Sequence, residues 1–323
     1  MKKRFMLLAT GGTIASVSGE NGLHPGIAAD ELLRRAGAPE NVSGRDVFAL
    51  DSSNIQPEEW QALAAAVREA LRDYDGVLIT HGTDTLAYTA AALSFMLLNE
   101  EKPVVLTGSQ LPIDHPLSDA SVNFREALSV LENAGSGVYI VFHHRVILGT
   151  RAVKMRTTGF DAFHSVNAPL AGRIDSDGVH LSPVPPRLCP PGLSDSLDSR
   201  VFLLKLIPGT APEILDFVAR AGYKGLVIEA FGLGGLHYIR RNLVDKLNEI
   251  SGKGIVTLVT TQCIYEKTNF SLYEVGRGVV GGRVFSAGDM TTEAAVCKLM
   301  WVLGDPDARI PYLKKSLCGE MSE

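Results

Sequence analysis

Short apolar runs alternate along the chain with stretches whose apolar residues recur at helical spacing. The runs Arg4–Ala9, Asp46–Leu50, Gly76–Thr80, Pro103–Thr107 and Val138–Phe142 predict strands. Between them, Pro57–Asp73, Leu86–Asn99 and Ser118–Asn133 predict helices. Pro57 followed by Glu58 and Glu59 suits a helix start, where proline forfeits no hydrogen bond and carboxylates face the positive end of the dipole. Such alternation predicts a parallel sheet covered on both faces. Asp175–Arg200 breaks the rhythm: Pro183, Pro185, Pro186, Pro190 and Pro191 crowd among serines and aspartates, a composition that reads as an interdomain linker. Beyond it the strands Val201–Leu206, Gly225–Ala230 and Ile255–Thr260 alternate with helices over Ala211–Ala221, Tyr238–Ser251 and Thr291–Leu303. The pattern predicts an α/β protein. A larger N-terminal domain with a doubly wound, mostly parallel sheet covers 1–185, a Pro-rich linker 186–199, and a smaller C-terminal α/β domain 200–323.

Composition narrows the function classes. With 323 residues, 46% hydrophobic and 21% charged, the chain can bury a real core in each of two domains. A formal net charge of −5 gives no electrostatic reason to bind nucleic acid or anionic lipid. No run approaches the ~20 apolar residues of a membrane span, and Phe5–Ala9 is too short for a secretory signal. Cys189, Cys263, Cys297 and Cys318 are far apart and form no C-x-x-C, so they read as free thiols in a reducing compartment, the cytoplasm.

Ligands of open α/β sheets sit beyond the carboxyl ends of the strands. The segments there are Thr10-Gly11-Gly12-Thr13, Asp51-Ser52-Ser53, Thr80-His81-Gly82-Thr83-Asp84-Thr85 and Thr107-Gly108-Ser109-Gln110. Four successive strand ends rich in small hydroxylated residues predict one polar pocket of zwitterion size. Each piece alone has a plainer explanation. Gly11-Gly12 suits a tight turn, Thr83-Asp84 a helix cap, and Asp51-Ser52-Ser53 a turn before the Pro57 helix. Neither phosphate-cradle spacing, G-x-G-x-x-G or G-x-x-x-x-G-K-[ST], is present, which leaves nucleotide binding a weak rival. A threonine hydroxyl needs a base to become a nucleophile, and a lysine beside an aspartate can organise that proton transfer. Lys154 is the candidate, against the plainer reading of a solvated surface lysine. His81 reads as packed, and His143-His144 lack a second metal-ligand pattern, so no metal site is predicted.

Ala9-Thr10-Gly11-Gly12-Thr13-Ile14-Ala15 and Ile79-Thr80-His81-Gly82-Thr83-Asp84-Thr85 resemble the paired signature of bacterial-type L-asparaginases. The resemblance continues in order through Asp51-Ser52-Ser53, Thr107-Gly108-Ser109-Gln110, Lys154, Gly159–Phe163, Thr261-Gln262-Cys263 and Gly288–Ala294, and points to the cytoplasmic type I group. It implies hydrolysis of L-asparagine to L-aspartate and ammonia through a covalent acyl-enzyme. By this resemblance Thr13 is the nucleophile, and Thr83, Asp84 and Lys154 form the second catalytic set. Gly12, Asp51, Ser52, Ser53, Gly82, Thr83, Asp84 and Ser109 bind substrate. No cofactor is implied, and a homodimer or homotetramer is, because family sites lie between subunits.

Two positions depart from the family. Leu23 stands where many members carry a loop tyrosine near the nucleophile, and the expected substitute is Tyr273, then Tyr265, then His24. Val153 replaces the threonine that, with the cysteine of Thr-Gln-Cys (Cys263), forms an effector site in some type I enzymes, so weak or absent cooperativity is expected. Two alternatives remain: a glutaminase-type component of a tRNA-dependent amidotransferase, and a non-catalytic amino-acid sensor. The first carries an extra N-terminal module, whereas Met1 here leads directly into the first strand; the second should have lost Thr13, Thr83 or Lys154.

Overall fold

The computed structural model describes residues 2–19, 22–190, 195–269 and 282–322. The chain divides into two compact units, Met1–Leu193 and Ser194–Glu323.

In the first unit β1 (Phe5–Gly11) is followed by a hairpin, β2 (Ser16–Gly19) and β3 (Gly22–Pro25). Helix α1 (Ala29–Ala36) precedes β4 (Val42–Leu50), α2 (Pro57–Asp73) precedes β5 (Gly76–Thr80), α3 (Leu86–Met96) precedes β6 (Pro103–Thr107), and α4 (Ala120–Asn133) precedes β7 (Gly137–Phe142). Then come β8 (Arg145–Leu148), β9 (Ala152–Lys154), β10 (Phe163–Ser165), β11 (Gly172–Asp175) and β12 (Gly178–Leu181). One eight-stranded sheet runs β12-β11-β8-β7-β6-β5-β1-β4, parallel from β7 to β4 and antiparallel beyond. Helices α1 and α4 pack together on one face and α2 and α3 on the other. This is why β5, β6 and β7 are wholly buried and read as continuous apolar runs rather than alternating ones.

Register brings the polar motifs together. Ala9 of β1 lies beside Thr80 of β5, and Thr80 beside Thr107 of β6. Leu50 of β4 pairs with Gly11. The chain therefore leaves β1, β4, β5 and β6 at one edge of the sheet, carrying the four predicted motifs.

Several predicted boundaries shift. Strand β4 starts at Val42, and α3 ends at Met96 in a turn where the Glu100 N–H meets the Leu97 carbonyl at 3.1 Å. Asp175–Leu181, where the strand–helix rhythm breaks, continues the sheet: Asp175 pairs with Gly178 across a tight turn in which the Asp177 N–H meets Asp175 at 2.9 Å and Gly178 takes φ 119°. Turn formers and linker formers are the same residues, and only pairing tells them apart.

The second unit carries β13 (Val201–Lys205), β14 (Gly225–Ala230), β15 (Val256–Thr261) and β16 (Val284–Ser286), all parallel in that order, with α5 (Glu213–Arg220), α6 (Leu243–Gly252) and α7 (Thr292–Leu303). Its core joins Leu226 and Ile228 of β14 to Leu215, Leu247 and Ile250 of the helices. The helix expected from Tyr238 begins at Leu243, because Asn242 caps it by accepting from the N–H groups of Val244 and Asp245.

Candidate active site

The backbone at the sheet edge is packed too closely for side chains. Gly11 and Gly12 have φ of 96° and 77°, and a Cβ on Gly12 would lie 2.3 Å from the Gly82 nitrogen. A Cβ on Gly82 would lie 2.6 Å from Ser52 Oγ. Glycine is therefore needed to let the loops after β1, β5 and β4 touch. Immediately after Gly12 the chain makes a 3₁₀ turn, Thr13–Ala15, in which Ile14 and Ala15 are buried. The Gly12 carbonyl accepts from the Ala15 N–H at 3.1 Å and from Ser16 Oγ at 2.9 Å. The turn thus anchors its apolar residues inward and leaves Thr13 half-buried on the lining of a polar cavity of about 200 Å³. Sites for drug-sized ligands run ~300–1,000 Å³, so this one suits a single amino acid.

Lys154 crosses from β9 to this cavity. Its Nζ donates to Thr83 Oγ1 at 2.8 Å and to Asp84 Oδ1 at 2.6 Å. Its side chain is only 18% exposed, against 62% for that of Asp84, so it is no solvated surface lysine. Thr83 and Asp84 do not cap α3: the cap position is Thr85, whose hydroxyl donates to the Ser52 carbonyl at 2.7 Å. Ser52 Oγ accepts the Asp84 N–H at 3.2 Å, tying the β4 and β5 loops together. Asp51 accepts from Ser53 through its hydroxyl at 2.6 Å and its N–H at 2.9 Å, and these bonds hold its carboxyl below the usual range.

Of the predicted residues, Gly12, Thr13, Asp51, Ser52, Gly82, Thr83, Asp84 and Lys154 line the cavity together. Ser53 and Ser109 do not. Ser53 is occupied in the Asp51 turn, and buried Ser109 donates to the Leu111 carbonyl at 2.5 Å. Gln110 takes the place expected of Ser109, and Ser16, Pro25 and Thr157 complete the wall. The sequence signal for Gln110 was its position in the fourth strand-end motif.

Behind the cavity His81 is buried, and its protonation state follows from its neighbours. The Gly82 carbonyl, 2.7 Å from Nδ1, can only accept, so Nδ1 carries the proton. Nε2 then accepts from Thr89 Oγ1 at 2.9 Å, which in turn accepts from Trp60 Nε1 at 3.0 Å. Desolvation pulls His81 from 6.5 to about 4, so the ring is neutral at pH 7. His143 and His144 form the two-residue turn between β7 and β8, with φ of 49° and 62°, and His144 Nδ1 meets Glu126 at 2.5 Å. Among the described residues no group of three or more His, Cys, Asp or Glu is placed to hold a metal ion.

Leu23 pairs with Ser18 along the backbone of the β2–β3 hairpin. Exposed His24 pairs with Val17 and does not line the cavity. Tyr273 lies outside the described residues. Tyr265, in the second unit, is 56% exposed. Val153 sits in β9 opposite His164, and the Cys263 N–H donates to Thr261 Oγ1 at 3.0 Å.

The chain is 42% identical to an L-asparaginase of Thermococcus kodakarensis over 99% of both chains. The solved structure of the thermostable L-asparaginase from that organism matches with a TM-score of 0.91 at 41% identity, covering 99% of both chains. That of L-asparaginase I from Vibrio cholerae matches at 0.82 and 28% identity, covering 100% of both. The chain is also 34% identical to a component of the glutamyl-tRNA(Gln) amidotransferase of Methanosphaera stadtmanae, over 99% of this chain and 77% of that one. Two family models match along it: asparaginase, N-terminal, over residues 4–187, and glutaminase/asparaginase C-terminal domain over residues 200–310. The chain therefore belongs to the asparaginase family.

Proposed function

We propose that this protein is an L-asparagine amidohydrolase that works through Thr13. The observation that carries this is the Lys154 ammonium, bonded at once to Thr83 Oγ1 and Asp84 on the wall of the cavity that also bears Thr13. Asp84, more than half exposed, receives the substrate α-ammonium, and Ser52 with nearby N–H groups receives the α-carboxylate. The Thr13 oxygen adds to the side-chain amide carbon, and Thr83 Oγ1, held in place by Lys154, takes the Thr13 hydroxyl proton as it passes its own to the departing nitrogen. The carbon–nitrogen bond breaks, ammonia leaves, and a β-aspartyl ester remains on Thr13. Water then adds to the ester, which releases L-aspartate and returns the proton to Thr13. The Thr83 N–H meets the developing oxyanion, and loss of one such donor costs roughly 100–1,000-fold in other acyl-transfer enzymes. All groups in this scheme belong to the protein, so it uses no cofactor. Tyr273 supplies the missing phenol to a neighbouring subunit's pocket, and the working unit is a homodimer or homotetramer in which the partner subunit's C-terminal domain completes the site. Among the described residues no disulfide joins the four cysteines and no helix is long and apolar enough to cross a membrane, which fits a cytoplasmic enzyme.

The likeness to an amidotransferase component favours one rival, a glutaminase. One methylene of discrimination is worth only ~1–3 kcal/mol, so some glutamine turnover is expected in either case. Ammonia release from L-asparagine and L-glutamine decides it. The expected result is a higher kcat/KM for asparagine and a loss of at least about 1,000-fold in Thr13→Ala. Faster release from glutamine favours the rival, and retained turnover in Thr13→Ala removes the proposed nucleophile.

A further inference from the structure

We infer that Gln110 is a specificity residue that reads the leaving side-chain amide of the substrate and repels the carboxylate of the product. The inference rests on the amidohydrolase reading above. Gln110 lines the cavity, and its side chain has one possible orientation. Nε2 lies 3.1 Å from the Thr157 carbonyl and 2.9 Å from the Gly159 carbonyl. Carbonyls only accept, so the amide nitrogen must face them and Oε1 must face the other way. There Oε1 accepts from Thr83 Oγ1 at 3.4 Å, the hydroxyl that itself accepts from Lys154, and keeps a second lone pair for a ligand.

The other end of the residue is fixed as well. The Gln110 N–H donates to both oxygens of Asp119 at 3.0 and 3.1 Å. Asp119 holds the N-cap position of α4 but makes no capping bond. Its carboxylate instead also receives the Leu111 N–H at 3.2 Å and Asn123 Nδ2 at 3.0 Å. A helix cap has been diverted to position this loop. Gln110 Oε1 is thus a neutral acceptor held in place before substrate arrives, beside the second catalytic threonine.

An acceptor at that spot distinguishes the two ends of the reaction. The side-chain amide of asparagine has N–H donors to give it. As the nitrogen gains a proton and departs, its hydrogen bond becomes charge-assisted and stronger, so the contact favours the transition state over the bound substrate. Aspartate offers only lone pairs, and oxygen opposed to oxygen weakens its binding.

Comparing asparagine with the β-methyl ester of L-aspartate tests this, because the ester has the same skeleton but no N–H on its leaving group. In Gln110→Met the ratio of kcat/KM for the amide to that for the ester is expected to fall about tenfold, while L-aspartate inhibits as well as before or better. A general structural loss lowers both substrates together and weakens aspartate too; an unchanged ratio therefore overturns the role. Should Gln110→Met not fold, Gln110→Asn draws the oxygen back by one methylene and is expected to shift the ratio in the same direction. Wild-type protein that releases no ammonia from asparagine sinks the amidohydrolase reading, whereas active wild-type protein with an unmoved ratio sinks only Gln110.

Discussion

Lys154 meets Asp84 at 2.6 Å and Lys298 meets Glu320 at 2.6 Å, yet the first pair has side chains 18% and 62% exposed and the second 0% and 0%. The second pair is sealed from water and held by further bonds. Lys298 also donates to the Lys315 carbonyl at 2.7 Å, and Glu320 also accepts from the N–H groups of Leu317 and Cys318 at 2.9 and 2.8 Å. Burial pushes the Glu320 carboxyl up, but the Lys298 charge and these donors outweigh it and leave the group below its ordinary 4.5. Such a pair fastens Glu320 to α7 and is out of reach of a ligand. Lys154 and Asp84 keep one face open, and the open carboxylate can meet a substrate's ammonium. The same two charges are sealed from water in one place and left open to a ligand in the other.

Exchanging the two lysines in turn gives the largest effects. Lys154→Met is expected to cut ammonia release from asparagine at least about 1,000-fold while costing clearly less unfolding free energy than Lys298→Met, since the Asp84 it leaves behind stays solvated. Lys298→Met is expected to cost about 3–5 kcal/mol in chemical denaturation, because it strands a buried carboxylate. Lys298→Met combined with Glu320→Leu should recover part of that loss, since the stranded charge goes too. If the two lysines behave alike in either assay, the contrast fails.

A smaller effect belongs to His81, which is buried without a charged partner. Its folded value of about 4 lies below the ordinary 6.5, so the unfolded chain takes up a proton first as the solution is acidified. Stability from this group is complete above about pH 6.5, falls between there and about pH 4, and amounts to roughly 3 kcal/mol. Urea midpoints measured from pH 7 to pH 4 should drop steeply in the wild type and less steeply in His81→Gln. The smallest effect expected is at Val153: saturation by asparagine should be hyperbolic, and a clearly sigmoidal curve contradicts the view that a valine there removes an effector's hydroxyl partner.

Much of the site was legible before folding was considered. The parallel strands announce themselves as apolar runs because both faces of the sheet are covered, and the segments after β1, β4, β5 and β6 had to lie at one edge. The motifs around Thr13 and Thr83 were therefore placed together by topology alone. Ser109 and Gln110 show where that logic stops. Both are polar neighbours in one loop, and which of them reaches the cavity depends on a rotamer and on bonds to Asp119, Thr157 and Gly159.

By itself the sequence determined the layers and the strand ends, because hydrophobic periodicity and motif spacing act over tens of neighbouring residues. Only the tertiary structure decided that Lys154 reaches across 71 positions to Thr83, that Gln110 replaces Ser109 at the wall, and that Lys298 and Glu320 close a sealed pair. Those outcomes depend on contact between distant segments and on how much water each pair excludes, and neither quantity is written in any local stretch of chain.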